Sequence, residues 1–145
     1  MDKANLRKKH IQLRNDEDRF NLLERSLRIS SQVIKFITPY SSVGIYISVK
    51  NEVNTRAIIE YCFQTNRRVC VPKIVNQEMI FVDISSLDEC VEHNGLIEPI
   101  KSEKATEPEI QLIPMLAFNS RLYRLGYGKG YYDRYLKNYQ GFKCG

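Results

Sequence analysis

The sequence lacks any apolar run that approaches the roughly 18 residues of a membrane-spanning helix. Its first residues, MDKANLRKKH, also lack the apolar core of a secretion signal. Hydrophobic residues make up 43% of the chain and charged residues 27%, which is typical of a soluble globular protein and argues against disorder. We therefore expect a cytoplasmic protein with no membrane partner.

Paired metal-binding cysteines are lacking too. Structural zinc needs closely spaced ligand pairs, but no C-x-x-C pair occurs, and His10 and His93 lie far apart in the sequence. We expect free thiols, buried where they fall in apolar segments, as Cys62 and Cys70 do. The other two cysteines are Cys90 and Cys144.

Internal repeats and low-complexity runs are absent as well, so a chain of 145 residues predicts one domain spanning 1–145. The formal charge is +5, and the isoelectric point is about 9.0. This balance favours an anionic partner, namely a nucleotide, a polyglutamylated cofactor or a nucleic acid. Charge alone does not choose among the three.

Helical spacing of apolar residues predicts one bent helix or two helices over 2–37. We place an N-cap at Asp16, between the two, and a stop at Pro39. The apolar positions are Phe20, Leu23, Leu27, Ile34 and Ile37, with a weaker stripe at Leu6 and Leu13.

Strand and helix patterns alternate after residue 40. Strand, helix and strand within about thirty residues form a βαβ unit, which should be parallel and right-handed. We therefore predict an α/β fold, a three-layer single domain with a mostly parallel sheet flanked by helices and with basic N-terminal helices. The predicted elements are strands 43–49, 68–72, 79–84 and 110–118 (interrupted at Pro114), helices 54–65 and 130–139, and irregular chain over 85–109.

Three glycines, Gly126, Gly128 and Gly130, alternate between a predicted strand and a predicted helix. Glycine allows positive φ and close approach to a ligand, and the N–H groups at a helix start attract anions. Lys129 adds a mobile ammonium group, and Arg124 adds a planar fork suited to phosphate. The pattern favours a phosphate-binding loop, and the alternative is a flexible turn that caps the last helix.

Two better-known glycine motifs do not fit this segment. A Walker A loop needs Ser or Thr after its lysine, whereas Gly130 follows Lys129. A dinucleotide-binding fingerprint needs an acid about twenty residues downstream, beyond the last residue of this sequence.

Tyrosines and one acid flank the glycines. Tyr127, Tyr131 and Tyr132 lie where aromatic rings can stack on a purine or a pterin. Tyr135 and Tyr139 continue a four-residue spacing and are predicted to pack in the core. Asp133 either stabilises the helix start or holds Mg²⁺ beside the phosphates, because this ion prefers carboxylate oxygen.

The run RLGYGKGYYDRYL at 124–136 is similar to the signature of 5-formyltetrahydrofolate cyclo-ligases, also called methenyltetrahydrofolate synthetases. The resemblance covers essentially the whole chain. Its further segments are KANLRK at 3–8, NEVNT at 51–55, NGLIEP at 94–99 and PMLAFN at 114–119.

The resemblance implies a set of site residues. Arg124, Lys129 and Tyr131 would be catalytic, and Asp133 would be a magnesium ligand. Ile47 and Glu52 would bind the pterin together with Tyr127 and Tyr131, and Glu98 is either part of the same pocket or a turn residue. The residues implied to bind ATP are Lys3, Arg7, Arg124, Leu125, Gly126, Tyr127, Gly128, Lys129, Gly130, Tyr131 and Tyr132.

The implied reaction uses ATP as co-substrate and Mg²⁺ as cofactor. It converts 5-formyltetrahydrofolate, simple or polyglutamylated, into 5,10-methenyltetrahydrofolate, ADP and phosphate through a phosphorylated formyl intermediate. We expect a monomer, with a weak dimer as the alternative, and no nucleic-acid partner.

The chain departs from the family pattern at two places. Asn119 stands where the family usually has Asp, and the family continues beyond residue 145 with a final strand and an acid near magnesium. We accordingly expect a C-terminally incomplete domain. The alternatives are a relative that binds nucleotide or folate without turnover and, more remotely, a basic protein that binds nucleic acid in a salt-dependent way.

Overall fold

The computed structural model describes residues 2–101 and 104–145. A five-stranded sheet organises them, and its helices pack against both faces. The elements in chain order are α1 (Lys3–Asp16), α2 (Arg19–Ile37), β1 (Ser42–Gly44), α3 (Arg56–Gln64), β2 (Arg68–Val75), β3 (Glu78–Ile84), a 3-10 turn (Leu87–Glu89), β4 (Cys90–His93), β5 (Leu96–Pro99), β6 (Ile110–Leu112), β7 (Ala117–Phe118), β8 (Arg124–Leu125), α4 (Tyr131–Lys137) and β9 (Phe142–Cys144).

The strand order in the sheet is β3-β2-β1-β6-β9. β1 pairs in parallel with both β2 and β6, and β6 pairs in parallel with β9, whereas β2 and β3 form an antiparallel hairpin. The predicted α/β fold with a mostly parallel sheet is confirmed, and β1, α3 and β2 form the predicted βαβ unit.

Alternation along β2 divides the core between the two faces of the sheet. Val69 and Val71 face a cluster that includes Ile37 of α2 and Ile59 of α3. Cys70 faces the other side, where Phe81 packs with tyrosines of α4. Successive strand residues point to opposite faces, so one buried strand supports both helical layers.

Strand β1 is shorter than the predicted 43–49. Beyond Ile45 the backbone bonds to side chains rather than to a neighbouring strand. The Thr55 hydroxyl donates to the Tyr46 carbonyl at 2.8 Å and accepts from the Ser48 N–H at 3.1 Å. The Glu52 carboxylate accepts from the Val49 N–H at 2.9 Å. These bonds satisfy the buried backbone and turn the chain out of the sheet.

The predicted N-cap at Asp16 is wrong. Asp16 is the last residue of α1, and the cap of α2 is Asp18, whose side chain accepts from the Asn21 N–H at 3.3 Å. Aspartate is a favourable N-cap residue at both 16 and 18. The break between the two helices places the cap at Asp18.

The apolar stripe of α2 is buried only near the end of the helix. Ile37 is fully buried, but Phe20, Leu23 and Leu27 are half exposed or more. Small residues mark the buried face of α2 instead, with Ser26 accepting from the Asn54 N–H at 3.0 Å. Close approach of the neighbouring backbone favours serine there.

The region 85–109 is more ordered than predicted. Its described part contains the 3-10 turn and the β4–β5 hairpin, and residues 102 and 103 lie outside the described residues. The single strand predicted over 110–118 is divided into β6 and β7, with Pro114 between them. The predicted helix 130–139 is α4, confined to Tyr131–Lys137.

Residues 142–144 form a strand that the sequence analysis did not predict. β9 pairs with β6 over Ile110–Leu112 and occupies the edge of the sheet. In the described part of the chain, no helix combines the length and the apolar character needed to cross a bilayer.

Candidate active site

A cleft of about 490 Å³ opens at the end of β1, on the side where the chain leaves the sheet. One wall is α1, the second is the segment 46–52 and the third is the glycine segment 126–130, which we call the glycine loop. The tip of the β4–β5 hairpin, at Asn94–Ile97, forms the rim. The topology therefore brings together segments from both ends of the chain.

Two arginines hold the glycine loop by its carbonyl oxygens. The Arg7 side chain donates from Nε to the Gly126 carbonyl at 2.9 Å. Arg134 donates from Nη1 to the Lys129 carbonyl at 3.1 Å. Two of the loop oxygens that would repel an anion are thus engaged by cations, while Lys129 itself is exposed at the cleft.

Glycine is required at the centre of this loop. Gly128 has φ of +105° and Gly130 has φ of +74°, in the region that side chains rarely adopt. A Cβ atom on Gly128 would also lie 3.2 Å from Cζ of Arg7. A side chain at 128 would therefore strain the backbone and press on the Arg7 guanidinium.

Arg124 and Asp133 form an ion pair at 2.5 Å that joins β8 to the first turn of α4. The Arg124 side chain is largely buried and lies over the Tyr132 ring, 5.8 Å from its centroid. Asp133 is exposed. Arg124 is thus held beside the loop with its charge facing the cleft.

Glu52 occupies the opposite wall. Its Oε1 accepts from the Val49 N–H at 2.9 Å, and its Oε2 accepts from the Tyr127 hydroxyl at 3.3 Å. Burial raises the pKa of this carboxyl, although both hydrogen bonds and the Arg14 charge oppose the shift. Burial, with the Glu52 charge, raises the pKa of Tyr127 to about 12. Ile47 lies buried in the floor.

The tyrosines that follow the loop pack together on β3. Tyr135 lies 4.8 Å from Phe81, measured between ring centroids, and 5.7 Å from Tyr139. The packing predicted for these two residues is confirmed. Tyr132 lines the cleft and also contacts Phe81, and its buried hydroxyl has no hydrogen-bond partner among the described residues.

Most of the residues singled out from the sequence meet at this cleft, but three lie elsewhere. Lys3 is exposed in the first turn of α1, and Leu125 lies in β8, where its carbonyl accepts from the Leu116 N–H. Glu98 accepts from the Ile74 N–H at 3.1 Å and contacts His93. Those at the cleft are Arg7, Ile47, Glu52, Arg124, Gly126, Tyr127, Gly128, Lys129, Gly130, Tyr131, Tyr132 and Asp133.

Arg14 is a cleft residue that sequence reasoning missed. Its guanidinium donates to the Tyr127 hydroxyl at 3.1 Å and to the Met115 carbonyl at 3.0 Å. Seven residues separate it from Arg7, about two helical turns, so both lie on the same face of α1. A pair of arginines at this spacing on one helix face is the sequence signal from which Arg14 could have been identified.

A metal ion at this cleft would have few protein ligands. Across residues 2–101 and 104–145, no group of three or more His, Cys, Asp or Glu residues is placed to hold one. Mg²⁺ beside nucleotide phosphates typically takes one or two carboxylates and keeps several waters. Exposed Asp133 beside the glycine loop fits such a site as a single carboxylate ligand.

Known proteins of one family match this chain in sequence and in structure. A 5-formyltetrahydrofolate cyclo-ligase from Mycoplasma pneumoniae is 31% identical, covering 94% of this chain and 77% of the relative. The solved 5,10-methenyltetrahydrofolate synthetase of Mycoplasma pneumoniae superposes with a TM-score of 0.77 at 30% identity, over 97% of this chain and 80% of that one.

The solved 5,10-methenyltetrahydrofolate synthetase of Aquifex aeolicus gives a TM-score of 0.79 at 27% identity, over 99% of this chain and 76% of that one. The model of the 5-formyltetrahydrofolate cyclo-ligase family matches residues 1–145. The resemblance stated from the residues is thereby confirmed, and the chain belongs to the 5-formyltetrahydrofolate cyclo-ligase family.

Proposed function

We propose that this protein is an ATP-dependent ligase that cyclises 5-formyltetrahydrofolate to 5,10-methenyltetrahydrofolate, with release of ADP and phosphate. One observation carries the proposal: a cationic glycine loop and the half-buried carboxylate of Glu52 line the same cleft. The loop suits a triphosphate, and the carboxylate suits the N–H edge of a pterin. The two ligands would meet between them.

The nucleotide end is formed by the glycine loop with Arg7, Arg124 and Lys129. Arginine presents a planar fork that matches phosphate oxygens, and lysine supplies a mobile point charge. Because Arg7 and Arg134 already engage loop carbonyls, the surface offered to an anion is positive on balance. The net charge of +5 adds a favourable long-range field for two anionic ligands.

The folate end is formed by Glu52 and Ile47, with Tyr127 and Tyr131 beside them. A carboxylate has about four acceptor positions, and Glu52 uses two of them on Val49 and Tyr127. The remaining positions can accept the two N–H groups of an aminopterin edge.

The chemistry begins when the formyl oxygen on N5 attacks the γ-phosphorus of ATP. A bond forms between this oxygen and phosphorus, the bond from phosphorus to the β,γ-bridging oxygen breaks, and ADP leaves. N10 then attacks the activated formyl carbon and loses its proton. The carbon–oxygen bond breaks, phosphate departs, and the five-membered ring closes.

The protein's share of this reaction is positioning and charge stabilisation. Lys129 and Arg124 would face the oxygens on which charge develops during phosphoryl transfer, an effect larger in a water-poor cleft than in bulk solvent. Asp133 would hold Mg²⁺, which supplies further charge neutralisation on the phosphates when bound. Glu52 and Ile47 would orient the pterin so that the formyl oxygen is in line with the γ-phosphorus.

A direct assay tests the proposal. Purified protein is mixed with 5-formyltetrahydrofolate, ATP and Mg²⁺, and the absorbance of methenyltetrahydrofolate is followed while ADP is quantified. We expect one ADP per methenyl product and no product when ATP is omitted. Binding of Mg·ATP in a calorimeter without product formation would favour the non-catalytic relative. No Mg·ATP binding at millimolar ligand would overturn the assignment of the glycine loop.

A further inference from the structure

The two arginines on one face of α1 contact consecutive residues of the glycine loop. Arg7 donates to the Gly126 carbonyl, and Arg14 donates to the Tyr127 hydroxyl. Helix α1 itself contributes no buried residue to the core. Polar contacts therefore contribute to its position against the cleft, and these two join it to the loop.

Arg14 is anchored at a second place. Its Nη2 donates to the Met115 carbonyl at 3.0 Å and approaches the Leu116 carbonyl at 3.5 Å, while Nη1 reaches Tyr127. A guanidinium is planar and rigid, so holding Nη2 on the 115–116 backbone fixes where Nη1 points. Arg14 thereby specifies the location of the Tyr127 hydroxyl.

The contact also fixes which way the hydroxyl hydrogen points. Arginine is only a donor, so the Tyr127 oxygen accepts from Arg14 and its hydrogen is left for another partner. An ionised carboxylate is only an acceptor, and Oε2 of Glu52 lies 3.3 Å from this oxygen. The order of donation is therefore Arg14 to Tyr127 to Glu52.

Glu52 is held from its other side by the turn that carries it. Oε1 accepts from the Val49 N–H at 2.9 Å, and the Glu52 N–H donates back to the Val49 carbonyl at 3.2 Å. The same turn is tied to α1 by a bond of 2.9 Å between the Asn51 and Asn15 side chains. The carboxylate is thus held in place as an acceptor for the Tyr127 hydroxyl.

We infer that Arg14 is a positioning residue that couples the two ends of the cleft, by holding Tyr127 so that it bonds to Glu52. The inference rests on the proposed function, because it takes the glycine loop as the nucleotide site and Glu52 as the pterin site. In the structure the Tyr127 hydroxyl lies on Glu52, and a triphosphate bound to the glycine loop would hold the loop in this arrangement. Folate bound to Glu52 would favour the same arrangement, so each ligand raises the affinity for the other.

The test measures this coupling directly. The Kd of Mg²⁺ with a non-hydrolysable ATP analogue is determined by calorimetry, with and without saturating 5-formyltetrahydrofolate. In the unaltered protein we expect folate to tighten nucleotide binding about fivefold or more, within the usual range of coupling between sites. Y127F removes the bridging hydroxyl and R14M removes the guanidinium, and in each the ratio of the two Kd values should fall toward one.

Three variants separate coupling from a general structural effect. The double variant R14M/Y127F should lose no more coupling than the more affected single variant, because both remove the same bridge. R14K keeps a positive charge but lacks the planar guanidinium. It should therefore recover less than half of the coupling that R14M loses, measured as the ratio of the two Kd values. R28M, which removes an exposed guanidinium paired with Glu24 on α2, should keep the full ratio.

The results that would refute this inference differ from the result that would refute the proposed function. If the nucleotide analogue binds but Y127F keeps the full ratio, or if the unaltered protein shows no coupling, the inference is wrong and the proposed function stands. If no nucleotide binds to the unaltered protein, the proposed function itself fails. Thermal unfolding identifies any R14M protein that has lost its fold, and Y127F then decides the question.

Discussion

The guanidinium of Arg124 donates to the carboxylate of Asp133 at 2.5 Å, beside the glycine loop. The same two side chains are the ones proposed to face phosphate and magnesium. The arginine side chain is 18% exposed and the aspartate side chain 81% exposed, so the pair is buried on one side only. Each side chain therefore partly neutralises the charge of the other. When Mg·ATP binds, this ion pair should be replaced by a contact of Arg124 with phosphate and a contact of Asp133 with Mg²⁺.

Asp133→Asn should raise the magnesium requirement of the reaction. The amide keeps the size of the side chain but loses the charge that would hold the ion, and it also releases Arg124. We expect turnover to fall by more than about tenfold at limiting Mg²⁺ and to recover in part at high Mg²⁺. Initial rates across a Mg²⁺ series measure the effect. Asp88→Asn, at an exposed acid outside the cleft, is the control, and identical Mg²⁺ curves for all three proteins would contradict the ligand role.

Lys129→Ala should lower turnover by more than about tenfold with little change in stability. Lys129 is exposed in the glycine loop, so its removal costs no packing, but it removes a cation from the transferring phosphoryl group. Steady-state rates with varied ATP separate the effect on turnover from the effect on KM. Lys9→Ala, which removes an exposed cation from α1, is the control. Normal rates in the Lys129 variant would show that the loop lysine does not face the phosphates.

Gly128→Ala should weaken nucleotide binding through the shape of the loop. A side chain at φ of +105° is strained, and the new Cβ would press on Arg7 at 3.2 Å. The loop or Arg7 must shift, so the Kd for Mg·ATP should rise by about tenfold or more. Gly95→Ala, at the rim of the same cleft, is the control for backbone strain, because Gly95 also has positive φ, at +79°, but its Cβ would meet no atom within 4 Å. Equal Kd values for both variants would contradict the close packing of the loop on Arg7.

The βαβ unit and the glycine loop could be predicted because their signals are local. β-branched runs, a helical repeat and alternating glycines each occupy fewer than about a dozen residues. The β4–β5 hairpin was missed because β4 is mostly exposed and neither strand shows apolar alternation. The Asn94–Gly95 pair at its tip, with φ of 51° and 79°, is the turn signal that would have identified it.

The role of Arg14 could not be predicted for a different reason. Its partners, Met115 and Tyr127, lie more than a hundred residues away, and the Met115 contact is to a backbone carbonyl. Backbone acceptors leave no trace in residue identity, so no motif marks them. The early end of β1 is similar, because it depends on where Thr55 and Glu52 return to the backbone of 46–49. Contacts between a side chain and a distant backbone group can therefore be recognised only once the fold is known.

Glu52 should make the protein less stable as pH rises, whereas an acid held in a surface ion pair makes a protein more stable as pH rises. Burial raises the pKa of its carboxyl above the ordinary 4.5. Between the unfolded and the raised folded pKa, the folded protein binds more protons than the unfolded chain. The free energy of unfolding therefore loses this contribution as pH rises through that window.

Glu52→Gln isolates the effect, because the amide has nearly the same shape and does not titrate. Urea unfolding of both proteins is measured at a series of pH values from below 4.5 upward, and the free energy of unfolding of the variant is subtracted from that of the unaltered protein. The difference should decrease with rising pH and level off above the raised pKa. Glu60→Gln, at an exposed position on α3, should show no such decrease. A difference that stays constant or grows with pH would mean that the Val49, Tyr127 and Arg14 contacts outweigh burial at Glu52.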